Sequence, residues 1–271
     1  MKKTQAKAPD PIPFGPEAFA PQDRTTVRWL GGAGALINCR GTTLLIDPLL
    51  EGFDMPLLVD SPLQVKDVPQ IDAVLLTHSD NDHFSRETCQ DLGPVCRSFH
   101  APHYVAGLCR ELGLFGIGHD IGETFSVGPV EVTLTPADHA WQNHVPGAAD
   151  RVFQPEDFCG FWLDTPDGSI WAVGDSRLLE KHLHMPTPDL ILFDFSNNEW
   201  HIGLDNAVKL ANAYPNTPLL LWHWGCVDAP DMDPFNGDPN ELKARIQNPN
   251  RALVLAPGQP LDLCRVAAAH K

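Results

Sequence analysis

The apolar positions of this chain fall mostly into short runs and strict alternation, with only a few stretches at helical spacing. Residues 27–30 (Val-Arg-Trp-Leu), 35–39 (Ala-Leu-Ile-Asn-Cys) and 42–46 (Thr-Thr-Leu-Leu-Ile) predict three strands. Gly31-Gly32-Ala33-Gly34 reads as a tight turn between the first two, and Arg40-Gly41 as the next hairpin turn. The glycine cluster is not a phosphate loop, because no helical pattern follows it. Asp47-Pro48 ends the third strand, and residues 49–70 are irregular and interrupted by proline. The apolar run over residues 71–77 predicts a buried strand. A helix is expected over 85–92, with Ser85 as N-cap and Glu87 in its first turn. A short strand at 98–100 and a helix over 103–112, stopped by Gly113, follow.

A second block of strands is expected at 123–127, 130–136, 158–164 and 170–173, the last two joined by a turn at Pro166-Asp167-Gly168. Beyond it come a buried strand at 190–195, an amphipathic helix at 204–214, a strand at 219–223, a helix at 241–247 and a strand at 252–256. Residues 1–24, rich in Pro and polar side chains, read as an N-terminal extended arm, and 25–271 as a single domain. No repeat or low-complexity tract occurs. Two strand blocks alternating with helices imply two sheets covered by helices.

The chain has 271 residues, 43% of them hydrophobic, enough for a large buried core. A net charge of −16 and the absence of basic runs argue against a general nucleic-acid binder. The seven cysteines are scattered, odd in number and without a Cys-x-x-Cys pair. That pattern suits reduced thiols and a cytoplasmic protein. No apolar signal segment follows Met1-Lys2-Lys3, and no run is long enough to span a membrane.

The chemistry concentrates at residues 77–83, Thr-His-Ser-Asp-Asn-Asp-His, directly after the apolar run that ends at Leu76. His78, Asp80, Asp82 and His83 place four metal-capable side chains at one strand end, as a divalent cation requires. His139, Asp175 and His223 each follow a further predicted strand, so all seven are expected to converge on one sheet edge. No Gly-x-Ser-x-Gly elbow competes as a nucleophile.

This order of residues resembles the metallo-β-lactamase superfamily, whose signature is His-x-His-x-Asp-His followed by His, Asp and His. The resemblance runs from about Thr26 to Ala256. Thr77-His78 with Asn81-Asp82-His83, Thr165-Pro166-Asp167-Gly168-Ser169, Gly174-Asp175-Ser176 and Trp222-His223-Trp224-Gly225 look most like the L-ascorbate-6-phosphate lactonase branch. N-acyl phosphatidylethanolamine phospholipase D is a more distant likeness. The resemblance implies an α+β fold, a four-layer αββα sandwich, with two divalent metal ions at one edge.

By that resemblance His78, Asp80 and His139 hold one ion, and Asp82, His83 and His223 the other. Asp175 bridges both. Asp80 stands where the family has its second His. A carboxylate there makes the site harder and more anionic, which favours Mn or Fe over Zn. The implied activity is hydrolysis of an ester, lactone or phosphoester of a small molecule by a metal-bound hydroxide, with Asp82 orienting the water. His201, just before the 204–214 helix, is a further catalytic candidate, because a His of that branch precedes the matching helix.

Trp141, His144 and Trp224 flank ligands and are expected either to wall a pocket or to pack in the core or at its rim. Arg177 either holds an anionic group or forms a salt bridge. Asp194 either supports a ligand His or caps a turn. His100 and His103 are expected to be structural. Substrate choice is assigned to the loops 49–66, 140–157 and 226–240.

Asp80 also supports a second reading, a non-haem iron oxidoreductase. Flavodiiron proteins share this fold and carry a carboxylate, a Glu, at that position. The 271 residues leave no room for a flavodoxin-like partner domain. A third reading is a non-catalytic metal-binding protein, and homo-oligomers of several kinds occur in the family.

Overall fold

The computed structural model describes residues 5–269. It contains two seven-stranded mixed sheets stacked face to face with helices outside them, a metallo-β-lactamase-type sandwich. The first sheet holds β1 (Thr25–Gly31), β2 (Gly34–Cys39), β3 (Thr42–Ile46), β4 (Ala73–Leu75), β5 (Phe99–Pro102) and β6 (Gly116–His119) in sequence order. It is closed on the β1 side by β14 (Pro260–Asp262). The second sheet runs β7 (Thr124–Val127), β8 (Val130–Pro136), β9 (Cys159–Thr165), β10 (Gly168–Ala172), β11 (Leu190–Phe193), β12 (Leu219–Leu221) and β13 (Ala252–Leu253).

Alternation along the strands builds two cores. Ile37, Leu44, Ile46 and Leu75 face the other sheet, where they join Val132, Phe161, Leu163 and Ile170. Their neighbours Leu36, Leu45 and Val74 face outward, against Leu92, Val105 and Cys109. Those residues belong to α1 (Arg86–Leu92) and α2 (His103–Glu111). α3 (Leu204–Ala213) buries Ala207, Leu210 and Ala211 on the far side of the second sheet. Because parallel strands are covered on both faces, they read as continuous apolar runs.

Strand direction puts the chemistry at one edge. β3, β4 and β5 pair in parallel, as do β10, β11 and β12. β8 is antiparallel to β9, which is antiparallel to β10, so β8 ends at the same edge as β10. Asp47, His78, His139, Asp175, Asp194 and His223 all lie just beyond the C-terminal ends of these strands, where ligands of α/β sheets gather.

Most predicted elements are present with shifted ends, and the departures have physical causes. Within 71–77 only Ala73–Leu75 forms a ladder, and Ile71 makes an isolated bridge to Cys96. The strand expected to reach 223 stops at Leu221, and His223 itself takes φ +59, which no strand accommodates. The helix expected at 241–247 forms as α4 (Pro239–Lys243), because Asp238 caps it and Pro239 opens it. β6, β14 and α5 (Leu263–Ala269) were not foreseen. Gly-Ile-Gly-His and Pro-Leu-Asp carry too few apolar side chains to signal strands. Ser85 does cap α1, its Oγ accepting from the Thr88 amide at 3.1 Å. Gly31 and Gly32 turn with φ of +95 and +52.

Of the predicted N-terminal arm, residues 1–4 lie outside the described residues. The rest is laid along the body. The Ala8 amide donates to the Gly225 carbonyl at 2.9 Å and that of Ile12 to Pro257 at 2.8 Å, and Ala8 and Phe19 are buried. All seven cysteines are free thiols, and Cys264 is exposed. Among the described residues no helix is long and apolar enough to cross a membrane.

Candidate metal centre

The seven predicted ligands come from four segments that follow β4, β8, β10 and β12, yet their donor atoms converge. His78, Asp80 and His139 form one cluster, and Asp82, His83, Asp175 and His223 a second, with ligand atoms within 4.8 Å of one another in each. Asp175 stands between them. Its Oδ2 lies 3.0 Å from His83 Nε2, 3.5 Å from His223 Nε2 and 3.9 Å from His139 Nε2. Gly174 allows this placement, since a Cβ there would come within 2.6 Å of the Cys159 carbonyl oxygen.

The imidazoles are held from behind. Asp47 is fully buried at the end of β3 with φ +39. Its Oδ2 lies 2.8 Å from His83 Nδ1 and accepts from Thr77 Oγ1 at 2.6 Å. The Thr77 hydroxyl in turn lies 2.9 Å from His78 Nδ1. His139 Nδ1 donates to the Trp200 carbonyl at 2.8 Å. In each case the contact fixes Nε2 as the nitrogen facing the site. Nothing in the sequence separated Asp47 from an ordinary strand terminator; its position next to β4 is a property of the sheet.

Asp80 is tied by the short 3-10 turn Trp141–His144 that follows His139. Trp141 Nε1 donates to its Oδ2 at 2.7 Å and Gln142 Nε2 to its Oδ1 at 2.5 Å. That leaves Oδ2 3.4 Å from His139 Nε2 and 3.6 Å from His78 Nε2.

The electrostatics are those of a cation site. Burial would raise the Asp175 carboxyl, but His201, His223 and His83 around it hold it well below the usual range. Burial also works against Asp82, and His83 and His223 bring it down to about 2. The imidazoles respond in kind. Burial lowers His223, yet Asp175 and Asp82 push it up to about 9. Burial likewise opposes the charged form of His83 and His139, and the surrounding carboxylates raise both. His78 is lowered by burial and by His83 beside it. The carboxylates thus draw positive charge onto the rings, the charge a bound cation would supply instead. A second mark is His78 Nε2, a buried ring nitrogen with no hydrogen-bond partner among the described residues. The hard-and-borderline donor set and this unpaired nitrogen fit a divalent cation.

A third cluster joins Asp175, Asp194, His201 and His223. His201 Nδ1 lies 3.0 Å from Asp194 Oδ2 and 3.4 Å from Asp175 Oδ2. Asp194 was expected to support a ligand His or cap a turn. It supports His201, and it also accepts from the Ser196 amide at 3.0 Å. His201 lines a cavity of about 550 Å³ that opens over Asp80, Asp82, His139 and Asp175.

Trp141 lines the same cavity, but the other proposed pocket residues do not. His144 is exposed and packs on the Trp200 ring, centroids 4.8 Å apart. Trp224, just past the left-handed His223 that follows β12, is buried and stacked on Trp29. Arg177 pairs with Asp138 at 2.5 Å and sits over the Trp200 ring, lining a separate depression. Asp194 is buried beneath the site. His100 bonds to His119 and Ser98, and His103 to Asp120; neither belongs to a metal cluster, in keeping with structural roles. Trp200, Phe153 and Phe235 in the cavity wall carry no motif and went unnoticed in the sequence.

Residues 42–224 match the family model described as the beta-lactamase superfamily domain. The UPF0173 metal-dependent hydrolase of Methanosarcina barkeri is 24% identical over 242 residues, covering 88% of this chain and 98% of the relative. Igni18, a metallo hydrolase from Ignicoccus hospitalis, superposes with a TM-score of 0.66 at 20% identity, over 88% of this chain and 97% of that one. The metallo-beta-lactamase fold protein YhfI of Bacillus subtilis gives a TM-score of 0.62 at 16% identity, over 89% of this chain and 100% of its own. With the two-sheet sandwich and the His/Asp clusters at one edge, these likenesses lead to a single assignment: the chain belongs to the beta-lactamase superfamily domain family and has the metallo-β-lactamase fold.

Proposed function

We propose that this metal-dependent hydrolase of the metallo-β-lactamase superfamily works at a dinuclear site and cleaves an ester, lactone or phosphoester bond of a small molecule with water. The observation that carries the reading is Asp175 Oδ2, within 3.9 Å of nitrogens of His83, His139, His201 and His223 and flanked by a ligand set on each side. His78, Asp80 and His139 would hold one cation, and Asp82, His83 and His223 the other, with Asp175 shared. Bound there, divalent ions supply an acidified water and positive charge against a developing oxyanion.

The chain's own groups do the rest. The Asp82 carboxylate, with Oδ2 3.3 Å from His223 Nε2, orients the attacking water at the cavity floor. Attack joins the water oxygen to the carbonyl carbon or phosphorus, passes one water proton to the Asp82 carboxylate, which later releases it to solvent from which His201 is reprotonated, and breaks the bond to the leaving oxygen. His201, held at Nδ1 by Asp194, delivers a proton from Nε2 to that leaving oxygen. Asp80 in place of an imidazole favours Mn or Fe over Zn in its half of the site.

The test is elemental analysis of protein purified without added metal, followed by a lactone, ester and phosphodiester screen. Asp175→Ala should lose both metals and cut activity roughly 100-fold or more. Retention of metal and activity would refute the shared-ligand reading. Asp80 also keeps a second reading open, oxygen chemistry on iron, since His78, Asp80 and His139 make a two-His-one-carboxylate set. Oxygen uptake by iron-loaded protein, absent with manganese, would favour it.

A further inference from the structure

We infer that the substrate of this site is uncharged and largely apolar away from its reacting bond, so that carboxylic esters or lactones of aryl or alkyl groups fit it and phosphorylated compounds do not. The inference rests on the hydrolytic reading above and narrows it.

The cavity of about 550 Å³ has the size of a small-molecule site. Phe53, Trp141, Phe153, Trp200 and Phe235 form its aromatic walls, and among the described residues the only acids and imidazoles lining it are Asp80, Asp82, His139, Asp175 and His201 of the metal centre. Among the described residues no lysine or arginine lines it. Two arginines do touch wall aromatics, but neither is free to serve a substrate. Arg151 is paired with Asp157 at 2.6 Å and lies over the rings of Tyr104 and Phe153. Arg177 is paired with Asp138 at 2.5 Å and lies over Trp200.

Charge away from the metals would therefore be stripped of water with no counter-charge to receive it. Two exposed large apolar side chains, Val145 at 47% and Met232 at 44%, line the cavity, and Val152, at 70%, adjoins Phe153 of its wall. The apolar surface thus continues outward past the aromatic walls, where a bulky acyl or alcohol group would emerge. The polar positions that remain, Ser79, Asn81, Gln142 and Asn198, are neutral and suit hydroxyl or carbonyl groups.

The test uses the manganese-loaded protein with three probes: p-nitrophenyl benzoate, its 4-carboxylate analogue, and bis(p-nitrophenyl) phosphate. The expected result is metal-dependent hydrolysis with kcat/KM for the neutral ester at least 100-fold above that for either anion. Val145→Lys, at an exposed rim position, should narrow the gap between the two esters about tenfold. A metal-dependent preference for the carboxylate ester or the phosphodiester would overturn the inference and leave the hydrolytic reading standing.

Binding of the uncharged dye Nile red provides a readout without turnover. It should bind wild type and bind Val145→Lys about tenfold more weakly. Failure of every probe to be hydrolysed, with this binding pattern intact, would overturn the hydrolytic reading and support the cavity's preference for uncharged ligands. Equal dye binding by the two proteins would overturn that preference.

Discussion

The indole Nε1 of Trp141 donates to Oδ2 of Asp80 at 2.7 Å, the same oxygen that faces the Nε2 atoms of His78 and His139. With Gln142 on Oδ1, the carboxylate cannot rotate without losing a bond. Trp141→Phe removes that donor while keeping an aromatic wall. The prediction is a metal affinity about tenfold weaker in the half of the site that contains Asp80, with the other half unchanged. Chelator competition, read as two separate steps, checks it. Equal steps in variant and wild type would reduce Trp141 to a wall residue.

Asp80 is the carboxylate that stands between His78 Nε2 and His139 Nε2 in its half of the proposed site. Asp80→His replaces a hard carboxylate by a borderline imidazole, so the zinc-to-manganese preference should rise by roughly tenfold or more. Competitive loading with both metals, followed by elemental analysis, measures the ratio. An unchanged ratio would mean that Asp80 does not contact the ion and serves only to hold the Trp141–His144 turn.

Asp47 acts through His83. Its Oδ2 contacts His83 Nδ1 and the Thr77 hydroxyl, and its Oδ1 accepts from the Thr77 amide at 2.8 Å. Asp47→Asn keeps the shape but replaces one acceptor oxygen by a donor, which sets the amide against the ring N–H or the hydroxyl. Metal affinity should drop about 10- to 100-fold with the ligand set intact. Calorimetric titration of the metal-free variant with Mn²⁺ tests this. Wild-type affinity would show that His83 needs no orienting partner.

The contrast between Asp47 and the ligands explains what the sequence disclosed. His78, Asp80, Asp82 and His83 are neighbours in the chain, so their density is visible without a fold. His139, Asp175 and His223 follow apolar runs, and the strand pattern alone puts them at one edge. The strand blocks were legible for the same reason: a buried parallel strand writes itself as an apolar run. Asp47 is 36 residues from His83, and only the β3–β4 register unites them. Trp200, Phe153 and Phe235 meet in the cavity through loop paths that no period records. Trp224 and Arg177 flank candidate ligands in sequence but leave the site: Gly174 and His223 turn the backbone with positive φ just before them, Trp224 stacks on Trp29 and Arg177 pairs with Asp138.

Asp167 couples the two sheets at the start of β10, the end of that strand opposite Asp175. It sits in the β9–β10 hairpin and accepts from Arg40 Nε at 3.0 Å and from Thr25 Oγ1 at 2.8 Å, both from the first sheet. Hydrogen bonding by Arg40 is the main reason its carboxyl is lowered to about 2. Since the unfolded chain binds the proton near the ordinary value of 3.8, the pair stabilises the fold above that pH. The contribution fades as pH falls toward 2. Asp167→Asn should therefore cost on the order of 1–2 kcal/mol at pH 6, or about 2–6 °C in Tm. The gap between variant and wild type should close as melting is followed from pH 5 down to pH 2.5. A constant gap across that range would assign the loss to packing and not to the ionised pair.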